Sequence, residues 1–123
     1  MASTMMRKRP NAKALRLDLD DALGALYELV NDGTAQASLD NATAMLRVWS
    51  LRFQIANLAL DNAADDHETH VARRAMKEAS AELGEWEKRK SVAQTDLVND
   101  LLIRDREHNE EQEAIAAAAT QLQ

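Results

Sequence analysis

Through the middle of the chain, Leu39, Ala42, Leu46, Trp49, Phe53, Ala56 and Leu60 recur at alternating steps of three and four. This spacing keeps all seven side chains on one side of an α-helix. A parallel ladder, Asp40, Thr43, Arg47, Ser50, Gln54, Asn57 and Asp61, is wholly polar and marks the wet side. Met45, Val48, Leu51, Ile55, Leu58 and Ala59 are apolar as well, so apolar surface covers well over half of the helix circumference. A helix docked on one partner needs a stripe of roughly 100°. This one needs at least two partners, and Ser38 is its expected N-cap.

The same periodicity predicts two further helices. The first starts between Asn11 and Asp18. Its stripe is Leu15, Leu19, Ala22, Leu26 and Leu29, widened by Leu23 and Val30. Asn31-Asp32-Gly33 is its stop signal, because glycine accepts the left-handed conformation that ends helices. Asp61 to Asp66 is a weaker break, with Asp65 and Glu68 at capping-box spacing for a third helix. The third stripe runs Ala72, Ala75, Ala79, Leu83, Trp86, Lys90, Ala93, Leu97 and Leu101. Gly84 and Lys88-Arg89-Lys90-Ser91 weaken that helix or bend it. Folding the second helix on the third about residue 64 pairs Trp49 with Ala79, Phe53 with Ala75, Ala42 with Trp86 and Ala56 with Ala72. Large residues face small ones at three of the four positions, as interdigitating layers require.

The expected fold is therefore all-α: a short N-terminal helix, then a long antiparallel helical hairpin with a polar helical C-terminal extension. Residues 1–10 form a basic arm, 11–103 the helical domain and 104–123 an acidic, Ala-rich extension. From Arg104 to Glu113 there is no apolar residue, so that stretch has nothing to place in a core. Composition agrees. Of 123 residues, only three are glycine and one is proline, which suits long helices with few turns. With 3% aromatics, the core must come from Leu, Ala, Val and Met around two tryptophans.

Charge changes the picture more than composition does. The net charge is −6, but the ends are opposed. Residues 1–16 carry Arg7, Lys8, Arg9, Lys13 and Arg16 with no acid, +5; residues 105–123 carry Asp105, Glu107, Glu110, Glu111 and Glu113 against Arg106, −5 + 1 = −4. The basic cluster is a candidate contact for phosphates or for an acidic protein surface. No aromatic residue is interleaved with it for base stacking.

Catalytic chemistry has little to build on. Without cysteine there is no thiol nucleophile, disulfide or thiolate metal site. There is no Gly-rich phosphate loop either. Asp66, His67 and His70 lie close together, but neither histidine has a glutamate three residues before it, as a di-iron bundle requires. An exposed helix start is the simpler reading. Arg73, Arg74, Lys77 and Lys88 to Lys90 are interspersed with Glu78, Glu82, Glu85 and Glu87, the ordinary mix of a solvated helix. Trp49 and Trp86 sit on core ladders rather than in a pocket.

The reading is a non-enzymatic assembly or adaptor protein without cofactor or metal. It acts through homo-oligomerisation or a protein partner, as a bacteriophage particle component or a bacterial accessory factor. The wide second helix supplies the candidate interface, Leu51, Ile55 and Leu58. The alternative is a nucleic-acid accessory protein, for DNA packaging or plasmid maintenance, using the N-terminal arm. No apolar run approaches the roughly 20 residues that span a bilayer. Met1 to Pro10 is basic but lacks the apolar centre of a secretory signal. The expected location is the cytoplasm, or a particle assembled there, with an organellar transit segment as the competing reading of the basic start.

Overall fold

Each helix begins at a side-chain cap, and the caps define the architecture. In the computed structural model, which describes residues 11–122, Asn11 Oδ1 accepts the Ala14 N–H at 2.7 Å and starts α1, Ala12–Glu28. Thr34 Oγ1 accepts the Ala37 N–H at 3.1 Å and starts α2, Ala35–Asp61. Asp65 Oδ1 accepts the Glu68 N–H at 2.8 Å and starts α3, Asp66–Gln121. Each cap satisfies one of the N–H groups that a helix start leaves without an internal partner. Glu68 also reaches back and accepts the Ala64 N–H at 2.8 Å, a variant of the expected capping box. No strand occurs among the described residues.

Three boundary expectations are corrected. Helix α1 stops at Glu28, so Leu29 and Val30 leave the stripe and are 39% and 79% exposed. Gly33, at φ 79°, does not end α1 but shapes the turn into α2. Helix α2 starts at Thr34 rather than Ser38 because Asp32 Oδ1 binds both the Thr34 hydroxyl, at 2.6 Å, and its N–H, at 3.0 Å. Thr34 is thereby held in capping position one turn early. Helix α3 runs unbroken through Gly84, Lys88–Ser91 and Arg104.

Helix α2 packs against both α1 and α3, while α1 and α3 do not approach each other closely. The wide apolar face of α2 is thus divided between two partners. Toward α1, Leu15 and Ala22 are buried with Val48 and Leu51. Leu19, Leu23, Leu26, Ile55 and Leu58 pack around them. Toward α3, the buried positions are small: Ala42 and Ala56 on α2, Ala72, Ala79 and Ala93 on α3. Alanine at these positions lets the two backbones come close. Ala42 and Trp86 line one groove and Ala56, Ala72 and Ala75 another, so the hairpin brings these levels of α2 and α3 together. Ala75 is nevertheless exposed, while Met76 is partly buried. At 3.6 residues per turn the position after Ala72 falls between 75 and 76, and the chain settles on 76.

Helix α1 runs antiparallel to α2. Its Leu19 shares a groove with Asn62 and His67 at the hairpin turn, whereas Asn31, beyond its C-terminus, borders Ala42 and Trp86. The start of α1 therefore lies at the turn end of the hairpin. At 1.5 Å per residue α3 is about 84 Å long and α2 about 40 Å. The start of α2, at Thr34 to Gln36, borders Leu97 and Leu101 of α3. Beyond that point α3 has nothing beside it, and every residue from 98 to 122 is exposed.

Candidate interaction surfaces

The first expected interface is already occupied. Leu51 is 8% exposed, and Ile55 and Leu58 pack into the same cluster against Leu15 and Ala22. The expectation of a free stripe here is corrected, because α1 covers it. The sequence shows that α2 needs two partners; the second is α1 of the same chain.

Arg7, Lys8 and Arg9 lie outside the described residues. Lys13 and Arg16 are exposed on the first turns of α1, at the hairpin-turn end. Asp66, His67 and His70 are exposed at the start of α3. No group of three or more metal-ligating side chains occurs among the described residues. No described helix is long and apolar enough to cross a membrane.

A groove of about 700 Å³ follows α2 between its two neighbours. Trp49, Ile55 and Ala56 line it from α2, Leu19 from α1, and Val71, Ala72 and Ala75 from α3. It exists because α1 and α3 both grip α2 without meeting. Trp49 is only partly buried here. The Arg52 guanidinium lies 4.7 Å from its ring centroid, a cation–π contact that shields the outer face of the indole. The indole Nε1–H is closed off from solvent and donates to no described protein atom. Arg89 stacks on Trp86 in the same manner at 4.4 Å.

The second surface is the α3 overhang, about 36 Å of helix from residue 98 to its end. Continuing the buried phase of α3 past Leu97 gives Leu101, Arg104, His108, Glu111, Ile115, Ala119 and Leu122. The stripe that packs α3 onto α2 is thus interrupted by charge and then resumes. Leu101, Leu102, Ile103 and Ile115 are 50%, 58%, 51% and 55% exposed. With Asp105, Glu107, Glu110, Glu111 and Glu113 on the same segment, the overhang is acidic with an apolar base and tip. The only ion pair among the described residues is Glu85 with Lys88 at 3.7 Å, so none lies on the overhang. Its charges and its lack of a packing stripe from Arg104 to Glu113 were both legible in the sequence.

No protein-family model, curated protein or solved structure matches the chain.

Proposed function

We propose that this protein is a non-enzymatic assembly component that associates with further copies of itself through the α3 overhang. The observation that supports this is that residues 98–122 are all exposed, none buried, on a helix that stays regular to Gln121. Most helical stability in proteins comes from packing one face rather than from propensity. A solvent-surrounded helix that keeps Leu101, Leu102, Ile103 and Ile115 half-exposed gains from a partner that covers them. Helix α2 packs against both α1 and α3, whereas the overhang has no buried residue. A particle component or a scaffold built from repeated copies fits this division between a packed body and a projecting rod.

Light scattering at low and high salt tests the reading. A mass above the 13.7 kDa monomer that depends on concentration supports it, and a monomer at every concentration contradicts it.

The second reading, a nucleic-acid accessory protein, rests on the five cations of residues 1–16 and the absence of any acid among them. Salt-dependent retardation of nonspecific duplex DNA, lost on Arg7→Gln, Lys8→Gln and Arg9→Gln substitution, would favour it.

A further inference from the structure

We infer that the copies pair as antiparallel dimers: two overhangs lie side by side along the stripe from Leu97 to Leu122, about a twofold axis between Asn109 and Glu110. This inference rests on the self-association proposed above and specifies its geometry.

The stripe is its own complement only when reversed. At coiled-coil spacing it reads Leu97, Leu101, Arg104, His108, Glu111, Ile115, Ala118 and Leu122, in alternating steps of four and three. Its basic side chains precede Asn109 and its acid follows. About the proposed axis, Leu97 meets the partner's Leu122 and Leu101 meets the partner's Ala118. The aliphatic stem of Arg104 covers the partner's Ile115, and His108 meets the partner's Glu111. Each contact occurs twice. A parallel pair would instead set Arg104 on Arg104 and Glu111 on Glu111. An antiparallel pair displaced by one heptad would set Glu111 against either the partner's Leu101 or the partner's Ile115.

The same register manages the charge. Each overhang carries Asp100, Asp105, Glu107, Glu110, Glu111 and Glu113 against Arg104 and Arg106, −6 + 2 = −4. Beside the seam, Asp100 lies opposite the partner's Gln121, Asp105 opposite the partner's Gln112 and Glu107 opposite the partner's Ala114. Glu110, Glu113 and Arg106 point away from it. The seam acid, Glu111, falls between Arg104 and His108 of the partner subunit, a contact of opposite sign that salt weakens. A notch of about 350 Å³, bounded by Thr34 and Gln36 of α2 and by Leu97 and Leu101 of α3, lies where the partner's Leu122 arrives. The paired overhang thus takes over the face of α3 that α2 covers as far as Leu97. Both copies use the same surface, so the contact is isologous and closes at two.

The chain has no cysteine, so an introduced one is a unique probe. Leu101→Cys and Ala118→Cys are made separately in the full chain, at positions that are both exposed. In the antiparallel pair position 101 faces position 118. Equivalent positions of the two copies are offset by 118 − 101 = 17 residues, about 25 Å of helix, too far for a disulfide. Mild oxidation of an equimolar mixture should give a cross-linked species of twice 13.7 kDa, and neither variant oxidised alone should do so. Cross-linking of either variant alone as readily as the mixture indicates a parallel pair and overturns the inference. A second pair of variants needs no cross-link. Ile103 and Ile115 are 51% and 55% exposed, but Ile103 faces away from the seam. By sedimentation, Ile115→Glu should weaken association about tenfold or more, and Ile103→Glu should leave it near the parent's. Equal effects overturn the register. A parent that associates while the mixture forms no cross-link overturns the antiparallel geometry alone. A parent that is monomeric overturns self-association and the geometry with it.

Discussion

The two halves of α3 share one continuous helix and face opposite circumstances. From Asp66 to Leu97 the helix lies along α2 and buries Ala72, Ala79 and Ala93. From residue 98 onward it buries nothing. Hydrophobic content alone does not separate the halves, since Leu101, Leu102, Ile103 and Ile115 are larger than any residue α3 buries. What separates them is the length of α2, whose start lies beside Leu97 and Leu101. On the packed half the fully buried positions are alanines, with Met76, Leu83, Trp86 and Leu97 partly covered around them; on the overhang every apolar residue is exposed. A long helix of this kind is a fold element at one end and a free surface at the other.

Aliphatic residues from the two environments give the largest expected contrast. Leu51→Ala, which empties space between α1 and α2, should cost about 2–4 kcal/mol. Ile115→Ala, on the overhang, should change stability by less than about 0.5 kcal/mol in the monomer. Urea midpoints at a protein concentration low enough to keep single chains provide the check. Equal losses would mean that the overhang packs on the body.

Alanines sharpen the same comparison. Ala79 is fully enclosed between α2 and α3, so Ala79→Leu should force the helices apart at about 1–3 kcal/mol. Ala116→Leu, on the overhang, should be neutral or slightly favourable in thermal melts. A neutral Ala79→Leu would show that α2 and α3 are not in close contact at that level.

A smaller effect concerns the start of α2. Thr34→Ala removes the cap and should cost about 1 kcal/mol. The Thr34 hydroxyl, and then its N–H, hold the Asp32 carboxyl below its ordinary pKa. The sign follows from that depression. The stabilisation is present above the ordinary carboxylate range and is lost as pH falls through the lowered value. In Asp32→Asn that increment of acid sensitivity should be absent from pH-dependent melts; an unchanged acid profile would show that the contact contributes nothing.

Much of the body was legible in the sequence. The ladder from Leu39 to Leu60 and the stripe from Leu15 to Leu26 are regular enough to define helices and their inner faces. The excess of apolar surface on α2 announced two partners. It did not say that α1 would take Leu51, Ile55 and Leu58, because periodicity fixes a face and not its neighbour. The early start of α2 depends on the contact of Asp32 with Thr34, a local bond that competes with the more familiar Ser38 cap. Ala75 and Met76 are both acceptable to the pattern, and only the accumulated phase of the helix decides between them. On the overhang, the absence of apolar residues from Arg104 to Glu113 signalled exposure. That its acids lie at the pole opposite Lys13 and Arg16 follows from the antiparallel course of α1, which no residue pattern encodes.

Amide hydrogen exchange along α3, followed at low and high protein concentration, is the most direct measurement of the central claim. In dilute protein, residues 66–97 should be protected and residues 98–121 should exchange rapidly, as a helix without tertiary contacts does. At high concentration and low salt, protection should extend into the overhang and recede again as salt shortens the Debye length to about 3 Å at 1 M. Protection of residues 98–121 that is the same at every concentration would contradict the account, since it would place the overhang's partner within its own chain.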